Sequence, residues 1–419
     1  MERTMIEHIF SQNIGKDVRP GEEYLFEPDL CCAYDAPGWY VNTPEFDKLV
    51  TELNIKKLKD PSKFLMFIDH FVPAGNSAIQ EVHVQTRTLC KQYGVKLYEA
   101  AGIGHQVLAE EGYAVPGEFA VHYDTHISMI GALGACGMGV RNCLIEVFAT
   151  QKIALVVPET FRLDLIGKLQ PGVTIRDAFH WLLQEIGPAG CRGMCLEIGG
   201  SGLESLDLDD RFTFCNLGMF VSAVTVLMEQ DEKVDQFLRD RARKPVHHIA
   251  PDPDAIYAKR MCFDLSKVEP ILVAPPSSVN TIHLTTKLGM KVDVGYVGSC
   301  ASGRMKDFHQ LLEVLGGKKI ADGFRLELIP ASVAIQKKLA ESGVMSRLID
   351  AGARFFYPSC DTCFGFSCAM TRGEVALSTG TLNLPGRKGC VEADIYTAGP
   401  YAIAAAALSG CVTDPRTLF

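Results

Sequence analysis

Short apolar runs bounded by polar or turn residues alternate along this chain with helical stretches, and Gly and Pro interrupt the sequence between them. Segments 64–68, 95–98, 153–157, 292–297, 326–329 and 355–357 predict buried strands, because a strand covered on both faces reads as a continuous apolar run. Strands separated by helices imply an α/β architecture. Three of the runs lead directly into reactive residues: Asp69-His70 after the first, Cys300 after the fourth and Cys360 after the last. Ligand sites in open α/β sheets lie outside the carboxyl ends of the strands, so this placement predicts one shared cleft.

At 419 residues the chain exceeds one ordinary core and predicts two or three packed domains. Between about residues 231 and 264 the sequence turns charged, with Arg239, Arg241, Arg243 and Lys244 ahead of Pro251-Asp252-Pro253-Asp254. This reads as a helix end and an exposed connection dividing residues 1–265, an N-terminal pair of domains, from residues 266–419, a third. Pro400 suits a first helical turn, 401–408 is Ala-rich and Gly410 fits a C-terminal cap, which together predict a closing helix. With 47% hydrophobic and 22% charged residues the composition is globular. A formal net charge of -9 argues against nucleic acid held by a general basic field. An anionic small molecule needs only a few local arginines. No solenoid repeat and no low-complexity tract occurs.

Fifteen cysteines are present, and their surroundings separate them. Cys136, Cys143, Cys195, Cys215, Cys262 and Cys411 sit among Ala, Leu, Val and Gly and predict small apolar core residues. Residues 1–16 mix charges with single apolar residues, unlike a signal peptide, and no apolar run approaches a membrane span. A cytoplasmic location is expected, where clustered cysteines point to metal rather than disulfide. Cys300 in Gly298-Ser299-Cys300, and Cys360 and Cys363 in Ser359-Cys360-Asp361-Thr362-Cys363-Phe364-Gly365, have the layout of an iron-sulfur site. Three soft sulfur ligands would leave one iron open to substrate as a Lewis acid.

Acid-base candidates are Asp69-His70, His105 in Gly102-Ile103-Gly104-His105-Gln106, and Asp124-Thr125-His126. A neighbouring carboxylate holds an imidazole in one tautomer and favours its protonated form, as a general acid requires. Glu197, between Leu196 and Ile198-Gly199-Gly200, is a further partner for one of these histidines. His8, His83, His180, His247, His248, His283 and His309 lack such context and read as surface or core residues. Gly134, Gly137 and Gly139 match a nucleotide fingerprint only loosely; without a following acidic residue they read as close packing.

Taken in order, Asp69-His70, Gly104-His105-Gln106-Val107-Leu108, Pro116-Gly117, Asp124-Thr125-His126, Gly131-Ala132-Leu133-Gly134, Val157-Pro158-Glu159, Gly298-Ser299-Cys300, Cys360-Asp361-Thr362-Cys363-Phe364-Gly365, Gly373-Glu374, Ser378-Thr379, Pro385-Gly386-Arg387 and Asp414-Pro415-Arg416 carry a resemblance. Over residues 5–416 the chain resembles the large subunit of the aconitase and isopropylmalate dehydratase superfamily. The resemblance implies three similar α/β/α domains around a 4Fe-4S cluster held by Cys300, Cys360 and Cys363. It makes Asp69 with His70, and His126 with Glu197, the pairs that protonate a departing hydroxyl, with His105 and Asp124 lining the same site. Arg387 would grip a substrate carboxylate, with Ser378, Thr379 and residue 382 around it. The proton-abstracting base of this superfamily is a serine on a swivelling domain that this chain lacks, so a small partner subunit carrying it is implied.

Departures from the family pattern cluster at the same place. Where the family reads Ser-Thr-Ser-Asn-Arg-Asn-Phe, this chain reads Ser378-Thr379-Gly380-Thr381-Leu382-Asn383-Leu384, so Leu382 replaces an arginine that helps hold a carboxylate. Losing that clamp removes a charge-assisted interaction of roughly 1.5 to 3 kcal/mol. Thr125 and Ile127, Ala301-Ser302-Gly303 and Phe220, at a usual glutamate, also depart. The expected activity is reversible removal of water from a small 2-hydroxy di- or tricarboxylate of the isopropylmalate, dimethylmalate or maleate-hydratase kind. Two alternatives stay open: an isomerase or other non-hydrolytic activity on an unsaturated acid, and a silent, iron-responsive homologue. Retention of His70, His105, His126 and Arg387 together disfavours the silent one.

Overall fold

The computed structural model describes residues 2–35, 48 and 50–419. The chain forms two compact units that are not contiguous in sequence. Met1–Asp164, Cys191–Gly199 and Ser222–Met261 make the first; Leu165–Gly190, Gly200–Val221 and Cys262–Phe419 make the second. The charged connection expected near residue 265 lies at one passage between units, but 165–190 and 200–221 belong with the C-terminal sheet.

The first unit is built on a five-stranded parallel sheet in the order Lys96–Glu99, Phe64–Ile68, Leu30–Tyr34, Phe119–His122, Cys136–Gly139. Phe64–Ile68 is buried along its whole length, as its sequence predicts. Leu30–Tyr34 is central, and successive strands are added to either side of it, so the sheet has a topological switch point between Leu30–Tyr34 and Phe119–His122. Helix Met5–Ile14 starts where Glu7 accepts from the Thr4 N–H at 3.0 Å, and ends at Gly15 in the left-handed region. Its apolar face, Met5, Ile6, Ile9 and Phe10, is buried, with the Phe10 ring 4.4 Å from Phe26 and 5.2 Å from Phe119. Thr160–Ile166, Cys195–Gly199 and Thr225–Met228 pair in parallel beside this core.

Gly137 and Gly139 are close-packing glycines. A Cβ on Gly137 would meet the Ile127 carbonyl at 2.3 Å, and one on Gly139 the Thr125 side chain at 2.6 Å. The expected strand 153–157 is a correction: Ile153–Val156 pairs only with Glu23–Phe26, in a two-stranded antiparallel ribbon, and Val156 is exposed. Cys136, Cys195 and Cys215 are buried as expected, whereas Cys143 and Cys262 are exposed and Cys411 is half-buried. Cys143 opens helix Cys143–Thr150, whose inward face is Leu144, Val147 and Phe148.

The second unit holds a seven-stranded sheet in the order Thr281–His283, Ile271–Val273, Asp394–Thr397, Val375–Ser378, Val294–Val297, Arg325–Leu328, Arg354–Phe355. The last five of these strands run parallel to one another. Val294–Val297 is the central strand of these five, again with neighbours added on both sides. The C-terminal helix is Pro400–Ser409, with Gly410 as its left-handed cap.

Candidate active site

Both switch points end in chemistry-bearing residues. In the first unit, Asp35 follows Leu30–Tyr34, Asp69-His70 follows Phe64–Ile68, and Asp124 lies two residues beyond Phe119–His122. Asp35 is fully screened from solvent and accepts from the N–H groups of Asp69 at 3.0 Å and His70 at 2.9 Å, while its other oxygen meets His83 Nε2 at 3.2 Å. Asp69 meets His70 Nδ1 at 2.6 Å and accepts from the Gly104 N–H at 2.7 Å. Tyr34 stacks on the His70 ring at 4.2 Å. Burial opposes charge on His70, but Asp69, with Asp35 and Asp124 behind it, raises the imidazole to about 9. His70 therefore carries its proton at neutral pH.

A histidine raised in the folded state contributes stability that is complete below its ordinary value of 6.5 and lost as pH rises through about 9. Asp69→Asn is expected to bring the His70 titration, followed by NMR of the ring, down toward 6.5, and to flatten the stability loss between those values. A titration that stays near 9 in the variant would show that Asp69 is not its cause.

Asp124 joins two further histidines. Its carboxylate meets His126 Nδ1 at 2.8 Å and lies 3.8 Å from His105 Nε2. Burial would raise the Asp124 carboxyl, yet His126 and His105 hold it well below the usual carboxylate range. Its own N–H donates to His122 Nδ1 at 2.8 Å, and the His122 ring meets His105 edge-on at 4.7 Å. Burial drives His122 well below the ordinary imidazole value, so it stays neutral and accepts that bond.

Glu197 departs from its expected role. It is fully buried and accepts from the Met5 N–H at 2.7 Å, from Tyr257 at 2.7 Å and from Arg162 at 3.1 Å. Its partners are these groups, not His126. Burial pushes its carboxyl up against the pull of Tyr257, the Met5 N–H and Arg162. The carboxylate ties the first helix to the Cys195–Gly199 strand.

In the second unit, Cys300 leaves the end of Val294–Val297 through Gly298 and Ser299, the latter at φ +80°. That left-handed serine is held by a dense set of bonds. Thr379 Oγ1 accepts from the Gly298 N–H and donates to the Gly298 carbonyl, both at 2.9 Å; Ser299 donates to the Thr379 carbonyl at 3.2 Å. Buried Arg176 donates to the carbonyls of Thr379 at 2.6 Å and Ala301 at 3.2 Å, and buried Arg304 to that of Cys300 at 2.7 Å. The Cys300 thiol faces Asn216 Oδ1 at 3.7 Å. Cys360 and Cys363 flank and enter the turn Asp361–Phe364, which closes at Gly365. A Cβ on Gly365 would lie 2.5 Å from Lys388 Cα, so only glycine lets this turn pack on the Arg387-Lys388 segment.

Arg387 reaches Cys363 Sγ at 3.7 Å and lies over the Phe364 ring, while its Nε is buried without a hydrogen-bond partner among the described residues. The hydrogen bond with Cys360 and the Arg387 guanidinium hold the Cys363 thiol well below its ordinary value, against burial. Ser378 and Thr379, expected at the substrate, are instead buried: Ser378 Oγ accepts from the Gly380 N–H at 2.9 Å and Thr379 braces the Cys300 loop. Leu382 is half-buried, one residue beyond Thr381, whose backbone bonds to Cys363. Phe220 is buried against His180, with ring centroids 5.9 Å apart.

The sequence reading missed Asp35, His83 and His122, and set His83 aside as a residue without context. Asp35 and His122 close the apolar runs 30–34 and 119–122, and that signal marks both.

Residues 44–290 and 278–410 match the aconitase family (aconitate hydratase). The chain belongs to the aconitase family. Relatives of this aconitase-family chain include the 3-isopropylmalate dehydratase large subunit 1 of Methanopyrus kandleri, 34% identical over 420 residues and 99% of each chain. The protein of the same name from Thermotoga maritima is 33% identical over 422 residues, again 99% of each. Among solved structures, Thermococcus kodakaraensis aconitase X in its holo-form aligns with 90% of this chain and 89% of its own, at 11% identity and a TM-score of 0.49. The expected α/β fold is thus the aconitase-family fold, and this family member, like relatives named as dehydratases, is a hydro-lyase. No helix among the described residues is long and apolar enough to cross a membrane.

Proposed function

We propose that this chain is the large subunit of a 4Fe-4S dehydratase that acts on a small, alkyl-bearing 2-hydroxy dicarboxylate with a small subunit as partner. The reading rests above all on Cys300, Cys360 and Cys363, all three of which act electrostatically on half-buried Arg387. Their donor chemistry fits the group: three soft thiols, one already held toward thiolate, beside an Arg387 N–H that lacks an acceptor among the described residues. A bound cluster of this kind supplies a Lewis-acidic iron for the substrate hydroxyl and an adjacent carboxylate.

The remaining steps belong to protein side chains. His70, kept protonated by Asp69, donates to the leaving hydroxyl, and Asp124 orients His126 and His105 for the same proton traffic. Arg387 binds a substrate carboxylate through its guanidinium, a charge-assisted fork that also fixes orientation. A serine of the small subunit takes the proton from the neighbouring carbon.

Leu382 sets the preference. An extra carboxylate placed there would be desolvated and unpaired, whereas an alkyl group gains about 0.8 kcal/mol per buried methylene. Citrate is therefore expected to be a poor substrate, and malate-like or methyl-substituted acids good ones, when the anaerobically reconstituted pair is assayed on a panel of hydroxy and unsaturated acids. Leu382→Arg is expected to move the selectivity ratio toward more highly charged acids, and Arg387→Ala to suppress turnover of all of them. Efficient use of citrate by the unaltered pair would overturn the assignment.

A further inference from the structure

Tyr296 is fully buried on the central strand Val294–Val297, and its hydroxyl has no hydrogen-bond partner among the described residues. A buried, unsatisfied hydroxyl is costly, and phenylalanine would fill the same space without that penalty. Tyrosine here calls for an acceptor that the described residues do not supply.

The surroundings locate that acceptor. A Cβ on Gly298, two residues before Cys300, would lie 2.9 Å from the Tyr296 hydroxyl, so the oxygen sits directly over the start of the Cys300 loop. A Cβ on Gly380 would lie 3.9 Å from the Tyr296 ring edge and 3.6 Å from Cys363 Sγ, so ring and sulfur border the same glycine. Tyr296 packs in one cluster with Ile329, Cys363, Phe356 and Cys360. Lys388 covers its ring at 4.5 Å and pairs with buried Glu327 at 3.2 Å, which fixes the ring from the side. A phenol carries its proton at neutral pH, so the Tyr296 O–H is a donor.

We infer that Tyr296 is a positioning residue for the iron-sulfur group, its O–H donating a hydrogen bond to a sulfur of the cluster or of its thiolate ligands. The inference rests on the iron-sulfur reading above. Hydrogen bonds to sulfur withdraw negative charge from the cluster, which raises its reduction potential and so disfavours the oxidation that releases the labile iron.

The test compares the anaerobically reconstituted full chain with Y296F, after iron and sulfide analysis and matched thermal melts. Y296F is expected to load iron equally, to show a more negative potential in an EPR-monitored redox titration, and to convert to the three-iron form several-fold faster under air. Equal potentials and equal conversion rates at equal loading overturn the inference. Absence of iron from the unaltered chain overturns the iron-sulfur reading instead, so the two failures are distinguishable. Should Y296F fail to fold or load, 3-fluorotyrosine placed at position 296 keeps the shape and strengthens the donor; it is expected to move the potential positively, and no movement overturns the inference.

Discussion

Cys363→Ser is expected to leave a folded chain that takes up no stable iron-sulfur group and has no activity above background. Serine is close in size, so the turn Asp361–Phe364 and its packing on Lys388 survive. What disappears is a soft ligand already held toward its anionic form by Cys360 and Arg387, because a hydroxyl at neutral pH is a hard, protonated oxygen. Cys360→Ser should behave alike. The control is Cys136→Ala: Cys136 is equally buried but packs in the apolar core of the first unit, so its loss is expected to cost about 1 kcal/mol of stability with iron content unchanged. Iron and sulfide analysis with Mössbauer spectroscopy reads all three variants, and a full cluster in Cys363→Ser would refute the ligand assignment.

Assayed alone, the reconstituted chain is expected to bind iron yet turn over about 10²–10⁴-fold more slowly than with its small subunit, the usual contribution of one positioned general base. The proposed acids of this chain are His70 and the Asp124–His126 pair, and the proposal assigns proton abstraction from carbon to the partner. Native mass spectrometry should show the two chains associating as activity appears. Full turnover by the large chain alone would contradict the division of labour.

What was legible in the sequence was local. Asp69-His70 stands out because it follows five apolar residues, and Cys360 with Cys363 because both lie in one turn. The central strand Leu30–Tyr34 was not read, because two cysteines and an alanine take the place of the bulky apolar residues that mark Phe64–Ile68. Asp35 and His83 meet across 48 positions of sequence, which no local pattern encodes. Glu197 shows the limit of resemblance: family precedent directed it to His126, whereas Arg162, Tyr257 and the Met5 N–H, drawn from three separate segments, occupy it here. The Tyr296 hydroxyl was equally illegible, because an unmet hydrogen bond is known only once every neighbour is placed.

The discontinuous units also govern how the protein is made. As the chain leaves the ribosome, the strand Thr160–Ile166 must wait for Cys195–Gly199, and the first unit is complete only once Met261 has emerged. By then Leu165–Gly190 and Gly200–Val221 have already been synthesised, carrying apolar residues such as Phe179, Leu182, Phe212 and Phe214 whose own sheet is still untranslated. Such segments are aggregation-prone during that interval, and a stop codon after residue 261 would strand them permanently. Gene fragments cut at that boundary are therefore poor expression targets, and slower translation past residue 221 would prolong the exposure rather than relieve it.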